Sequence, residues 1–349
     1  MEEIASRAVE YGTLWLPPGT GPAPAVLVLG GSEGGTPDDV GAALAREGFL
    51  ALASPCFGGA GLPAQLVEVP LERFGERLRW LAALPGTGPA DAALPQTGAA
   101  GGPEVGEAGR LAALPRGPGA GRQGRAGGPI GGASRPVAVV GRSKGGELAL
   151  LVASAYPDLV AAVVAYSGSG VGWQGIDRGP GAYRRPARPS WTLGGAAVPF
   201  LPFARPTPGQ VLSLLGYLVG RPPPSRPFYE RALGDAAAVE RATFPVERFR
   251  GPVLLVSGAD DQVWPSRELA EIAVRRLGGP SDAARPGRRR VEHLVYEGTG
   301  HLAGPCPLRA RGFAAGGTPE ANAAAAADAW PRVVAFLQSA LAVSAAPKP

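Results

Sequence analysis

At 349 residues the chain has room for one large domain with a sizeable core or for two small ones. Hydrophobic residues make up 45% and charged residues 18%, ordinary for a globular protein, but 93 of the 349 residues are Gly or Pro, close to the level at which low-complexity disorder sets in. The formal net charge of +5 rests almost wholly on arginine, since Lys144 and Lys348 are the only lysines; arginine scattered through Gly/Pro-rich stretches reads as solvation and compositional bias, and no nucleic-acid partner is expected.

The first residues, MEEIASRAVEYG, lack a basic segment followed by an apolar one, and no run of eighteen apolar residues occurs anywhere, so a cytoplasmic protein with no membrane span is expected. Residues 9–16 read as an antiparallel strand. Short runs that are continuously apolar or nearly so then follow at 25–29, 49–53, 137–140, 160–165, 253–256 and 292–296, as expected of parallel strands buried on both faces. Helical patterns alternate with them: one opening at Thr36-Pro37-Asp38-Asp39, then 71–84, 145–156, 266–277 and 320–341. The alternation predicts an α/β fold, a mostly parallel sheet with helices on both faces.

Two segments break the alternation of this single domain, residues 1–349. In residues 85–135, 22 of 51 positions are Gly or Pro and the motif AALP recurs three times, so a disordered insert is expected, entering the next strand at the end away from any site. Residues 170–248 are dense in Pro, Arg and aromatics, among them Trp173, and follow the carboxyl end of a strand, which predicts a cap-like insertion. Its apolar run 211–219 is too short to span a bilayer and is expected to pack over the sheet.

Gly141-Arg142-Ser143-Lys144-Gly145 matches G-x-S-x-G, the sharp strand-to-helix turn that presents a nucleophilic serine. Chance supplies such matches cheaply in a Gly-rich chain, and Gly30-Gly31-Ser32-Glu33-Gly34 is a second. Only Ser143 has a strand directly before it and a helix directly after it. A serine needs a base, and the chain has two histidines: His293 lies inside a strand, whereas His301 follows that strand in a loop at its carboxyl end. For the carboxylate that orients the base, Asp261, three residues past Gly258, is favoured over Asp260, which is expected to cap the turn. The order Ser143, Asp261, His301 is that of an α/β-hydrolase, and the loop after the first parallel strand then supplies oxyanion N–H groups from Gly31 or Ser32, with another from Lys144. Two histidines and two cysteines, Cys56 and Cys306, form no metal-ligand spacing or disulfide framework, so neither a metal nor a cofactor is expected.

Four stretches together resemble the hydrolase domain of the acyl-CoA thioester hydrolase and bile acid-CoA:amino acid N-acyltransferase family. They are Gly141-Arg-Ser-Lys-Gly-Gly-Glu-Leu-Ala-Leu with Ala162-Val-Val-Ala-Tyr-Ser-Gly-Ser, Gly258-Ala-Asp-Asp-Gln-Val-Trp-Pro-Ser, Tyr296-Glu-Gly-Thr-Gly-His, and Gly316-Gly-Thr-Pro-Glu-Ala-Asn. The resemblance places the family's triad on Ser143, Asp261 and His301. Family members use Ser or Cys as nucleophile, and Ser here implies transfer to water more than to an amino acid. Animal members carry an N-terminal β-sandwich domain; with some two dozen residues before the first core strand, this chain resembles the stand-alone bacterial form. The expected partner is a small acyl thioester or ester, with a small-ester or dienelactone-type hydrolase as the alternative, an N-acyltransferase behind it, and outside enzymes a nucleic-acid-binding protein on an inactive hydrolase fold. Trp173, Arg184 and Arg185 in the cap are candidate substrate contacts, the arginines as phosphate-binding forks beside Arg178 and Arg188.

Overall fold

The computed structural model describes residues 4–19, 21–84, 135–182, 185–281, 289–301 and 313–345. The expected disordered insert, but for Arg135, lies outside them.

An eight-stranded sheet forms the centre, ordered β1-β2-β4-β3-β6-β7-β10-β11. Its parallel part comprises β4 (Leu50–Ser54), β3 (Ala25–Leu29), β6 (Val137–Arg142), β7 (Ala162–Tyr166), β10 (Val253–Gly258) and β11 (Val291–Tyr296). The antiparallel edge is a hairpin, β1 (Ser6–Val9) and β2 (Gly12–Trp15), where one strand was expected over 9–16. Gly12, at φ +138°, starts β2 with its Cα so close to β4 that a Cβ would lie 2.0 Å from Ala53 O, so only glycine fits.

Strand residues alternate between two apolar layers, which is why every central strand is buried throughout. Val26, Val28, Val140, Val164 and Val256 face α1 (Asp38–Arg46) and α8 (Pro319–Ala345), whose Val40, Leu44, Val333 and Phe336 complete that layer. Leu27, Leu29, Val139, Val163 and Leu255 face α2 (Glu72–Ala83), α3 (Lys144–Ala155) and α7 (Ser266–Arg276). Among the described residues no helix is long and apolar enough to cross a membrane.

Residues 170–248 build a third apolar cluster, Val171, Trp173, Leu201, Tyr229 and Ala242, closed from below by Trp264 and Leu269. The segment is also stitched to the body by a small sheet in which β5 (Val69–Pro70) pairs with β8 (Trp191–Leu193), and β8 with β9 (Ala196–Ala197). It further contains α4 (Pro208–Ser213), α5 (Arg226–Leu233) and α6 (Ala236–Ala242). One expectation fails here: the run 211–219 does not pack over the sheet but stands in solvent, with Leu212, Leu215, Leu218 and Val219 all exposed. A helical apolar pattern shows that a segment is helical and sticky, not what it lies against.

Candidate active site

The register of β6, β7, β10 and β11 brings their carboxyl ends level, Arg142 beside Tyr166 and Gly258 beside Tyr296, so the loops that leave them share one edge of the sheet. Ser143 is the single residue between β6 and α3, at φ +56° and ψ −123°, a conformation a side chain adopts only when the surroundings impose it. Its flanking glycines show why. A Cβ on Gly141 would sit 2.0 Å from Gly145 O, and one on Gly145 would sit 2.3 Å from Gly30 O, so strand, turn and helix close only without those side chains. The first turn of α3, with its N–H groups unpaired within the helix, opens next to Ser143.

Asp261 is buried past the end of β10. Its Oδ1 accepts from Val263 N at 2.9 Å and Trp264 N at 3.2 Å, which leaves Oδ2 facing His301 Nδ1 at 2.8 Å. Asp260 is exposed and accepts instead from Gln262 Nε2 and Gly317 N, both at 3.0 Å, so it is Asp261 that meets the histidine. The backbone N–H of His301 donates to Ala315 O at 2.8 Å, and its carbonyl accepts from Ser167 Oγ at 3.1 Å. Tyr166, the residue before Ser167, takes the Ser143 N–H on its carbonyl at 2.9 Å. One dipeptide at the end of β7 therefore holds both the serine turn and the histidine loop. With Nδ1 engaged, Nε2 is the ring nitrogen left for chemistry. His293 sits in β11 with Nε2 2.9 Å from Ser257 Oγ, and burial holds its pKa below the ordinary histidine value.

The loop after β3 lies against α3, as the Gly30 carbonyl over Gly145 shows. Within it the Gly31 N–H donates to Glu33 Oε1 at 3.3 Å, and Arg142 Nη2 donates to the same oxygen at 3.1 Å. Ser32 is half-buried beside it. Cys56 Sγ donates to Gly30 O at 2.9 Å, and burial pushes its thiol pKa far up. The Lys144 side chain turns inward and meets Glu147 one turn along α3, with Nζ at 2.8 and 2.7 Å from its two oxygens. Glu147 Oε1 also accepts from Trp191 Nε1 at 2.7 Å and from Trp173 N at 3.4 Å. Glu33, Glu147, Trp191 and Ser167 escaped the sequence reading; the i, i+3 spacing of Lys144 and Glu147 was the one available signal.

Two of the three cap candidates lie among the described residues. Trp173 has no exposed surface; its ring packs edge-on to Tyr229 at 4.7 Å between centroids, Tyr229 to Trp264 at 5.7 Å and Trp264 to His301 at 5.9 Å, so it backs the histidine through two rings. Arg185 is exposed and paired with Asp177 at 2.8 Å, and Arg188 with Glu68 at 3.1 Å, so these forks already hold carboxylates. Arg184 lies outside the described residues.

Comparison with known proteins agrees with the motifs. A family model described as "BAAT / Acyl-CoA thioester hydrolase C terminal" matches residues 233–343. Acyl-coenzyme A thioesterase 1 of Homo sapiens is 26% identical over 340 residues, covering 95% of this chain and 63% of that protein. Mitochondrial acyl-coenzyme A thioesterase 2 of Homo sapiens is 27% identical over 345 residues, covering 95% of this chain and 55% of that one. This chain thus spans little more than half to under two thirds of the length of those relatives. The crystal structure of a dienelactone hydrolase-like promiscuous phosphotriesterase from metagenomic libraries superposes over 97% of this chain and 99% of its own, with a TM-score of 0.50 at 15% identity, and shares the fold. The chain therefore has the α/β-hydrolase fold, and its likeness to the acyl-CoA thioester hydrolase and bile acid-CoA:amino acid N-acyltransferase family, read from four motifs, is borne out by the family model and by relatives along most of its length.

Proposed function

We propose that the protein is a serine hydrolase that cleaves acyl thioesters or esters through an acyl-enzyme, with acyl-CoA thioesters as the leading substrate class. The observation that carries this reading is the buried 2.8 Å contact between Asp261 Oδ2 and His301 Nδ1, held by the same Tyr166–Ser167 dipeptide that holds the Ser143 turn. In this mechanism His301 Nε2 takes the Ser143 proton as Oγ attacks the acyl carbon, and Asp261 stabilises the imidazolium. The tetrahedral oxyanion is met by the Lys144 N–H and by an N–H of the Gly31–Ser32 loop, which the Glu33 carboxylate must leave. The carbonyl re-forms as the bond to the thiolate or alkoxide breaks, the imidazolium supplies that group's proton, and a water deprotonated by His301 then releases the acid. The names of the relatives support the thioester class; the engaged forks of Arg185 and Arg188 favour the second reading, a small-ester hydrolase without coenzyme A recognition.

A fluorophosphonate probe should label Ser143 in the wild type and in Ser32→Ala, and should fail on Ser143→Ala. His301→Ala and Asp261→Asn should each cut turnover on the order of 10⁴-fold. Turnover of acyl-CoAs against nitrophenyl esters, with and without glycine, then separates thioesterase, esterase and acyltransferase. An adduct on Ser32, or an Asp260→Asn variant worse than Asp261→Asn, would overturn the assignment.

A further inference from the structure

Residues 204–224 are anchored at both ends, Arg231 Nη2 also donating to Arg205 O near the first, and are largely exposed between. Before them, Phe203 stacks on Trp173 at 6.3 Å and meets Tyr229 edge-on at 5.1 Å. After them, the N–H groups of Ser225 and Arg226 both donate to Gln262 O at 3.1 Å, and Arg226 Nη1 donates to Asp261 O at 3.0 Å. The segment thus springs from the turn that carries Asp261. Its middle has local order of its own: Thr207 and Gln210 form a capping box on α4, a 3₁₀ turn Leu214–Val219 continues the helix, and Arg221 N returns to Gly216 O at 2.8 Å. Yet neither helical piece buries a residue. Leu212, Leu215, Leu218 and Val219 are 67%, 57%, 82% and 72% exposed, with Val211, Leu214 and Tyr217 close to half. A preformed element showing seven large apolar side chains to water marks a contact surface, not a packing accident.

The charge pattern narrows the partner. From Arg178 to Tyr229 the sequence contains seven arginines and no Asp or Glu. Asp177, Glu68, and Glu230 with Glu268 take up Arg185, Arg188 and Arg226 from outside that stretch. Arg205 and Arg221, both exposed, bracket the apolar tip. A second copy docking through this face would bring like charges together at its rim. An interface with an apolar interior and phosphate oxygens at its surface satisfies both parts at once.

We propose that residues 207–221 are an interfacial finger that docks the protein on anionic phospholipid surfaces, with Leu212, Leu215 and Leu218 entering the acyl boundary and Arg205 and Arg221 meeting headgroup phosphates. Docking in this way sets the Asp261 turn beside the lipid. The proposal concerns where the protein sits and stands whether or not the hydrolase reading does.

The test is co-sedimentation of the full chain with vesicles of phosphatidylcholine alone and of phosphatidylcholine with phosphatidylglycerol, at low and high salt. The wild type should pellet with the anionic vesicles and much less with the neutral ones. Leu212→Asp with Leu218→Asp should lower partitioning by about a hundredfold, from two leucines no longer buried. Arg205→Gln with Arg221→Gln should lower it about tenfold and flatten its salt dependence. Both variants should keep the wild-type unfolding midpoint, since the altered side chains touch no core. No pelleting of the wild type, or equal pelleting with both vesicles, would overturn the proposal without needing any variant to fold. So would light scattering that finds a wild-type dimer turned to monomer by the leucine changes, which would make this a face between copies.

Discussion

Glu147 joins the serine turn to residues 170–248: it holds Lys144 on α3, the Trp191 indole on β8 and the Trp173 backbone N–H. Burial pushes its carboxyl pKa up and the Lys144 ammonium pKa down, so each charge depends on the other to stay ionised there. Removing one partner strands the other. Glu147→Gln should cost about 3–5 kcal/mol in urea unfolding, whereas Lys144→Met with Glu147→Gln should recover much of that loss because no lone charge remains buried. Strictly additive losses in the double-mutant cycle would show that the two side chains act independently. Because Lys144 belongs to the pair, loss of the pair should also weaken any reaction that uses the Lys144 N–H as a donor.

At the level of the elements, the insert can be tested by removing it. Its flanks meet: Arg135 N donates to Ala82 O at 3.2 Å, and Arg135 Nη2 to Leu84 O at 3.3 Å, so the two ends are already joined before any intervening residue is considered. They meet at the amino end of β6, a strand whose six residues place Ser143 about 20 Å away. Replacing residues 87–133 by a short Gly/Ser linker should leave fluorophosphonate labelling and the unfolding midpoint within error of the wild type; a folded deletion that no longer labels would show that the insert reaches the site. The elements themselves were legible wherever burial dictates composition. Five of the six parallel strands lie where continuous apolar runs predicted them, because a strand covered on both faces has no polar side to spare, and the edge strand β11, half-buried and carrying Glu292 and His293, still falls on its expected run. The hairpin at Gly12 and the strands β5, β8 and β9 were not legible. Two- and three-residue ladders carry too little pattern, and β8 depends on a partner more than a hundred residues earlier. The same holds within the site: Ser143, Asp261 and His301 follow strand ends and could be placed from the sequence, whereas Glu147 finds Trp191 across a segment with no period at all.

For the molecule as a whole, Ser143, Asp261 and His301, separated by 118 and 40 positions, all follow carboxyl ends of one sheet because β6, β7, β10 and β11 are neighbours in it. That arrangement is held by the folding free energy of the entire chain, and Ser143 draws on it. Its positive φ costs about 1–3 kcal/mol, energy that the packed sheet supplies and the unfolded chain does not need. The strained turn is thus a debt on stability, and discharging it should be measurable. Ser143→Ala keeps the strain and loses only the hydroxyl; Ser143→Gly releases the strain, less the roughly 0.5–1 kcal/mol by which glycine favours the unfolded chain. Differential scanning calorimetry should therefore find Ser143→Gly melting above Ser143→Ala, and equal midpoints would mean that the turn is relaxed. If the order holds, glycine at this turn outlasts a side chain on heating, and selection for thermal endurance alone would erode the serine to which the proposed reading gives the nucleophile's role.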